Sequence, residues 1–227
     1  MMTFLHVICG AFVLAVAPAA MLARKGGRWH RRCGTAFMLA MAVVLFTAGF
    51  MWQPKGHIFL FALALVSAYL VFNGFRIVIR RRRQQADPLA DAVDVAAAVA
   101  TVASGVWLLV IAAGAADTLM RSLAPIMAGL GVVAIAFALN DVRGIFGPRT
   151  RVGWLIAHFS AMIAAYISAV TAFVVINAHA VPMQFRWIVP ISIGTLVICG
   201  FSLPYRLPRG LAGRMRARAQ ALSREQP

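Results

Sequence analysis

Acidic side chains are nearly missing from this chain: six Asp and Glu stand against 22 Lys and Arg, and charged residues of all kinds reach only 12%. With 62% hydrophobic residues and a mean hydropathy of +0.85, that poverty of charge excludes an ordinary soluble domain. Cysteine is scarce as well. Cys9, Cys33 and Cys199 are odd in number and fall in or beside apolar stretches, so they read as small packing residues rather than an exported disulfide framework. Nothing like CxxCH occurs, which removes covalently attached haem. The two lysines, Lys25 and Lys55, both lie between apolar stretches, so no helix carries the Schiff-base lysine a retinal protein needs. The alternating pattern of a membrane β-strand is missing, and no connection is long enough to bury a core of its own.

What the chain has instead is seven apolar stretches of about 20 residues, each able to cross a hydrocarbon core of about 30 Å as a helix. They run approximately over 4–23, 33–52, 57–79, 89–114, 120–139, 152–177 and 187–204. The expected fold is therefore all-α: an integral membrane bundle of seven transmembrane helices. Residues 1–205 form one domain and 206–227 a basic tail. That tail, RLPRGLAGRMRARAQALSREQP, suits either a short cationic helix on anionic lipid or an irregular anchor. Pro18, Pro125 and Pro190 fall inside or near the ends of the first, fifth and seventh helices, where each removes a backbone donor.

The net charge of +16 would suggest a nucleic-acid partner in a soluble protein, but the cations sit between apolar stretches. Lys55, Arg121 and Arg186 belong to one set of connections, and the other 19 of the 22 Lys and Arg belong to the alternate set. The asymmetry places the amino terminus outside and the carboxyl terminus in the cytoplasm, and it accounts for the knot RKGGRWHRRCG at 24–34 without nucleic acid. The cations follow the first apolar stretch rather than precede it, so that stretch reads as a retained helix and not a signal peptide.

Ionisable groups inside a bilayer cost at least a few kcal/mol, which makes the exceptions site candidates. Asp87, Asp91 and Asp94 follow i, i+4, i+7 and form one stripe of the fourth helix; Tyr69, Asn73 and Arg76 do the same on the third. A pairing of Arg76 with Asp91 or Asp94 is expected. In the sixth helix His158, Met162, Tyr166, Phe173 and Asn177 share a stripe of about 100°, which should point into the bundle. His30, just before the second helix, lies on the same membrane side as His158. On the outer side are His6, His57 and His179, with Gly10 one turn below His6 leaving room beside its ring. Trp29, His30 and Met38 are echoed by Trp154, His158 and Met162, which would suit a parallel repeat of three helices, a linker and three more.

The stretch from His6 through Gly10 and Pro18 to RKGGRWHRRCG, then YLVFNGFR at 69–76 and HFSAMIAAYISAVTAFVVIN at 158–177, resembles a family of bacterial integral membrane proteins, domain of unknown function 2306. The likeness extends over most of the chain and implies a multi-pass protein of the bacterial inner membrane. It supplies no activity. On its matching positions the family's typical residues are His6, His30, His158, Met162, Tyr166 and Asn177.

Two functions follow from these residues. Histidines at similar depth on different helices are candidates to ligate haem b axially or to contact quinone in a membrane redox protein; a two-haem path would add His6 with His57 or His179. Alternatively Asp91, Asp94, Arg76, His158 and Tyr166 surround the cavity of a small-molecule or proton-coupled transporter with a 3+1+3 layout. A sensor or scaffold without cofactor is the non-catalytic reading. An intramembrane hydrolase is disfavoured, because His158 and Ser160 point about 200° apart.

Overall fold

Apolar runs without water to bond to must satisfy their own peptide groups, and the α-helix does so within one segment. The computed structural model describes residues 1–51, 58–82, 87–116, 118–147 and 152–206, the side chains of Leu119, Pro204 and Arg206 excepted. Among the described residues are seven α-helices: α1 Met2–Leu22, α2 Arg28–Met51, α3 Ile58–Arg82, α4 Pro88–Ala113, α5 Thr118–Phe146, α6 Gly153–Asn177 and α7 Met183–Arg206. All seven are long and apolar enough to cross a membrane. Arg206, the first residue of the expected tail, ends α7; the rest of the tail, 207–227, and His57 lie outside the described residues.

Two boundaries differ most from the sequence reading. α2 begins at Arg28, so His30 stands in its first turn rather than in a preceding loop. α5 continues to Phe146 and carries Asn140, Asp141 and Arg143 inside the helix. Polar side chains there suggest a loop, but the buried charge of Asp141 is met by partners on α3 and the helix continues.

α3 is the centre of the bundle, with 56% of its apolar window buried against 17–33% for the others. α1 and α2 form one hairpin and α4 and α5 another; α6 packs along α3, and α7 packs on α6. The α4–α5 hairpin closes on bare backbone. A Cβ on Gly131 would stand 2.7 Å from the Gly105 carbonyl oxygen, and one on Gly105 would stand 2.8 Å from that of Gly131. Small residues allow this approach of helix axes, the ordinary way helices adhere where no hydrophobic effect drives them together. α5 and α6 scarcely meet, whereas α1 and α2 are tightly paired, so the two proposed triplets are not packed alike.

The ends of the bundle are chemically different. One, here the basic end, carries the α1–α2 turn, the end of α3, the start of α4, the end of α5 and the start of α6. At the opposite end two arginines serve carbonyls at and just beyond helix ends. Arg186 donates to the carbonyls of Val175 (3.2 Å), His179 (2.8 Å) and Val181 (2.6 Å), and Arg121 donates to Ala115 at 3.3 Å. Such bonds satisfy carbonyls that a helix cannot serve itself.

Candidate functional site

The histidine candidates are oriented by main-chain carbonyls. His30 donates Nδ1–H to Ala20 O at 2.9 Å. Ala20 lies in the last turn of α1, where carbonyls lack an intrahelical donor, and the next one, Met21 O, is taken by the Lys25 ammonium. Partial burial there lowers the Lys25 ammonium from its ordinary pKa. His158 donates Nδ1–H to Gly74 O on α3 at 2.7 Å. A carbonyl accepts only, so both rings are fixed in the tautomer that leaves Nε2 as the free acceptor or ligand. Both rings lie at the basic end, one in the first turn of α2 and the other in the second turn of α6.

Met162, one turn on from His158, sets the spacing of α6 on α3: a Cβ on Gly74 would come within 2.6 Å of its sulfur. Tyr166, one turn further, donates its hydroxyl to Leu14 O at 3.4 Å. Pro18 supplies the reason. It has no N–H, so the carbonyl four residues earlier loses its helical donor, and the tyrosine from α6 fills the vacancy at mid-depth. Tyr166→Phe is therefore expected to cost about 1 kcal/mol, and most of that cost should vanish in a Pro18→Ala background where residue 18 again bonds Leu14. Denaturation of the four proteins of this double-mutant cycle in one detergent measures the coupling.

The expected stripe of α6 is not its most buried face. Ala161, Ile163, Ala165, Ser168, Thr171 and Val175 are the buried residues, while Phe173 is 53% exposed and Asn177 is also exposed. Small residues let α6 approach α3, and the larger side chains of the stripe flank that contact. Asn177 closes its own helix by donating Nδ2–H to Phe173 O at 2.8 Å, at the end away from His158.

Arg76, Asn73 and Asp94 belong to a separate cluster. Arg76 grips Asp94 with Nε at 2.5 Å and Nη2 at 3.1 Å, and donates from Nη2 to Ala90 O at 2.9 Å. Arg80 bridges on: its Nη1 is 2.8 Å from Asp94 Oδ2, a charge contact out of line with the N–H, and its Nη2 pairs with Asp141 and reaches Asn73 Oδ1 at 3.3 Å. Tyr69 completes the chain by donating to Asp141 Oδ2 at 3.3 Å. Asp94 and Asp141 are 0% and 2% exposed, and two arginines balance two aspartates. Of the two expected partners for Arg76, the hydrogen bonds go to Asp94; Asp91 adds its charge to the same neighbourhood. Asp87 caps α4 by accepting from Ala90 N at 3.1 Å, ahead of Pro88.

Gly74 lies roughly 130° around α3 from the centre of the Tyr69–Asn73–Arg76–Arg80 stripe. The histidines thus occupy the α1–α2–α6 side of α3 and the ion pairs its α4–α5 side, so one polar site from the sequence becomes two. Arg80 and Asp141 were missed by sequence reasoning: the only available signal was a lone aspartate in an apolar neighbourhood.

The third histidine works at the opposite end. His6 Nδ1 lies 2.9 Å from Thr47 Oγ1, and the Thr47 hydroxyl is directed to the carbonyls of Val43 (2.8 Å) and Val44 (2.9 Å). His6, Gly10 and Asn177 line a cavity of about 510 Å³ between α1, α2, α3 and α6. A Cβ at Gly10 would meet nothing within 4 Å, so the expected room beside the imidazole is present. His179 is exposed and offers its carbonyl to Arg186.

No family model, curated protein or solved structure matches the chain. Its chemistry has to come from its own geometry. Among the described residues no three His, Cys, Asp or Glu side chains converge as a metal site, which leaves pairwise ligation as the arrangement the histidines can offer.

Proposed function

We propose that this chain is a redox protein of the bacterial inner membrane, of the domain of unknown function 2306 kind, in which His30 and His158 hold haem b. In this reading the basic end faces the cytoplasm and the amino terminus faces outward, in keeping with the charge asymmetry. The open depression lined by Arg28, Arg31, Arg32 and Thr35 then lies where anionic lipid phosphates are found.

One observation carries the haem assignment: both imidazoles spend Nδ1–H on main-chain carbonyls at the same end of the bundle, and among the described residues Nε2 of each takes no hydrogen bond. A bond of this kind from the far ring nitrogen fixes tautomer and ring orientation in ligating histidines. Gly34, one turn from His30 in α2, has open space around it, as a flat macrocycle beside the ring requires. Bound haem would supply one-electron chemistry. The chain's own work is to hold two rings from α2 and α6 and to lock α6 onto α3 through Met162 and Gly74.

Protein purified from haem-replete cells should show a Soret band, and His30→Ala and His158→Ala should each abolish or strongly shift it. Asn177→Ala should leave the band unchanged. A colourless preparation overturns the reading.

The cavity at the opposite end supports a second reading, transport of a small molecule. Asp94 serves it poorly as a proton carrier, because two arginines hold it away from solvent. Uptake into vesicles that survives His6→Ala would remove that cavity from any transport path.

A further inference from the structure

The cavity beside His6 has a polarity that its residues dictate. The Thr47 hydroxyl has its single proton directed to Val43 and Val44 carbonyls, so towards His6 it can only accept. His6 must then donate from Nδ1, and in the neutral ring Nε2 becomes an acceptor. Thr47 is fully buried behind the ring and does not line the cavity, whereas His6 does, so Nε2 is the polar atom the imidazole has left to offer there.

The deeper hydroxyls agree. Ser67 donates to Leu63 O at 2.8 Å and Ser168 to Ala164 O at 3.0 Å, which spends both protons within their own helices and leaves oxygen lone pairs. Donors remain at the exposed Thr3 and in the second amide hydrogen of Asn177. Among the described residues no Lys, Arg, Asp or Glu lines the cavity, and the rest of the wall they form is aliphatic or aromatic. Its volume is that of an ordinary small-molecule site.

We infer that this cavity binds a neutral aromatic hydroxyl compound, a hydroquinone in preference to its quinone, with one hydroxyl donating to Nε2 of His6. A quinone carries acceptors only and would meet acceptors at His6, Ser67 and Ser168; a hydroquinone has the same apolar body and supplies the missing protons. Membrane hydroquinones fit this demand and are soluble in the lipid beside α1 and α2. The inference deepens the redox reading by naming its substrate class, yet it rests on the end of the bundle away from His30 and His158. It can therefore be tested in protein with or without a Soret band.

The experiment is an anaerobic binding titration of the full chain in lipid nanodiscs, with menadiol, menadione and menadiol dimethyl ether as probes. Menadiol should bind more tightly than either of the others by about tenfold, the ratio one well-placed hydrogen bond can command. His6→Phe should erase the preference while leaving apolar binding. Thr47→Val, which frees the tautomer, should weaken it, and Thr47→Ser should preserve it. Equal binding of the three probes, or no binding of menadiol by helical wild-type protein, overturns the inference. Because the probe comparison is made on wild-type protein, a variant that fails to fold does not blunt it.

Discussion

Replacing Asp94 by alanine is expected to destabilise the protein by about 3–5 kcal/mol, the cost of removing one partner from a buried ion pair. The carboxylate is fully buried and engages two guanidinium groups on α3. Without it Arg76 and Arg80 lose the buried carboxylate they share, while Asp141 still pairs with Arg80 and the Ala90 carbonyl still accepts from Arg76. Asp94→Asn should lie between alanine and wild type, because the amide oxygen still accepts one bond but cancels no charge. Asp91→Ala, at a half-buried position, should cost much less. Denaturant or thermal unfolding in a single detergent ranks the three. A loss below about 1 kcal/mol for Asp94→Ala, as for an exposed ion pair, would show that the network is not desolvated in the folded protein.

The second large effect is steric. Gly131→Ala places a methyl 2.7 Å from the Gly105 carbonyl oxygen and within 3.3 Å of Leu108 and Leu109, so α5 must move off α4 along their whole contact. Overpacking of this kind costs about 1–3 kcal/mol. Gly129→Ala is the internal control, since a Cβ there meets nothing within 4 Å. In that open position alanine should be neutral or gain up to about 1 kcal/mol from helix propensity. Of the pair of variants, two residues apart on one helix, only Gly131→Ala should therefore lower the unfolding midpoint. Equal shifts would mean that α4 and α5 are not in backbone contact.

Helix number and class were legible because each span is an apolar run of the length a bilayer demands, a signal that neighbouring residues cannot blur. Ends were less legible. The first turn of α2 is written in arginines and the last turns of α5 in Asn140, Asp141 and Arg143, and polar residues look alike in a loop and in a helix whose charges are paired elsewhere. The Arg76–Asp94 bond could be anticipated from matching stripes on helices joined by a short connection. Arg80 with Asp141 could not, since nothing local says that α5 returns beside α3. The room beside His6 followed from Gly10 one turn away, but Thr47, the residue that fixes its tautomer, sits on another helix with no pattern to mark it.

The acceptors at positions 14, 20 and 74 are peptide oxygens, and this changes what substitution can do to them. A side-chain partner is lost with one codon; a carbonyl persists whatever residue carries it, provided the helix stays in place. Leu14 is thus free to drift among apolar residues without disturbing Tyr166, whereas Ala20 is held small by its burial in α1 rather than by its bond to His30. Gly74 is held small by Met162 rather than by its bond to His158. In related chains the expected signature is a fixed donor facing a variable residue, a pairing that covariation between side chains would not detect.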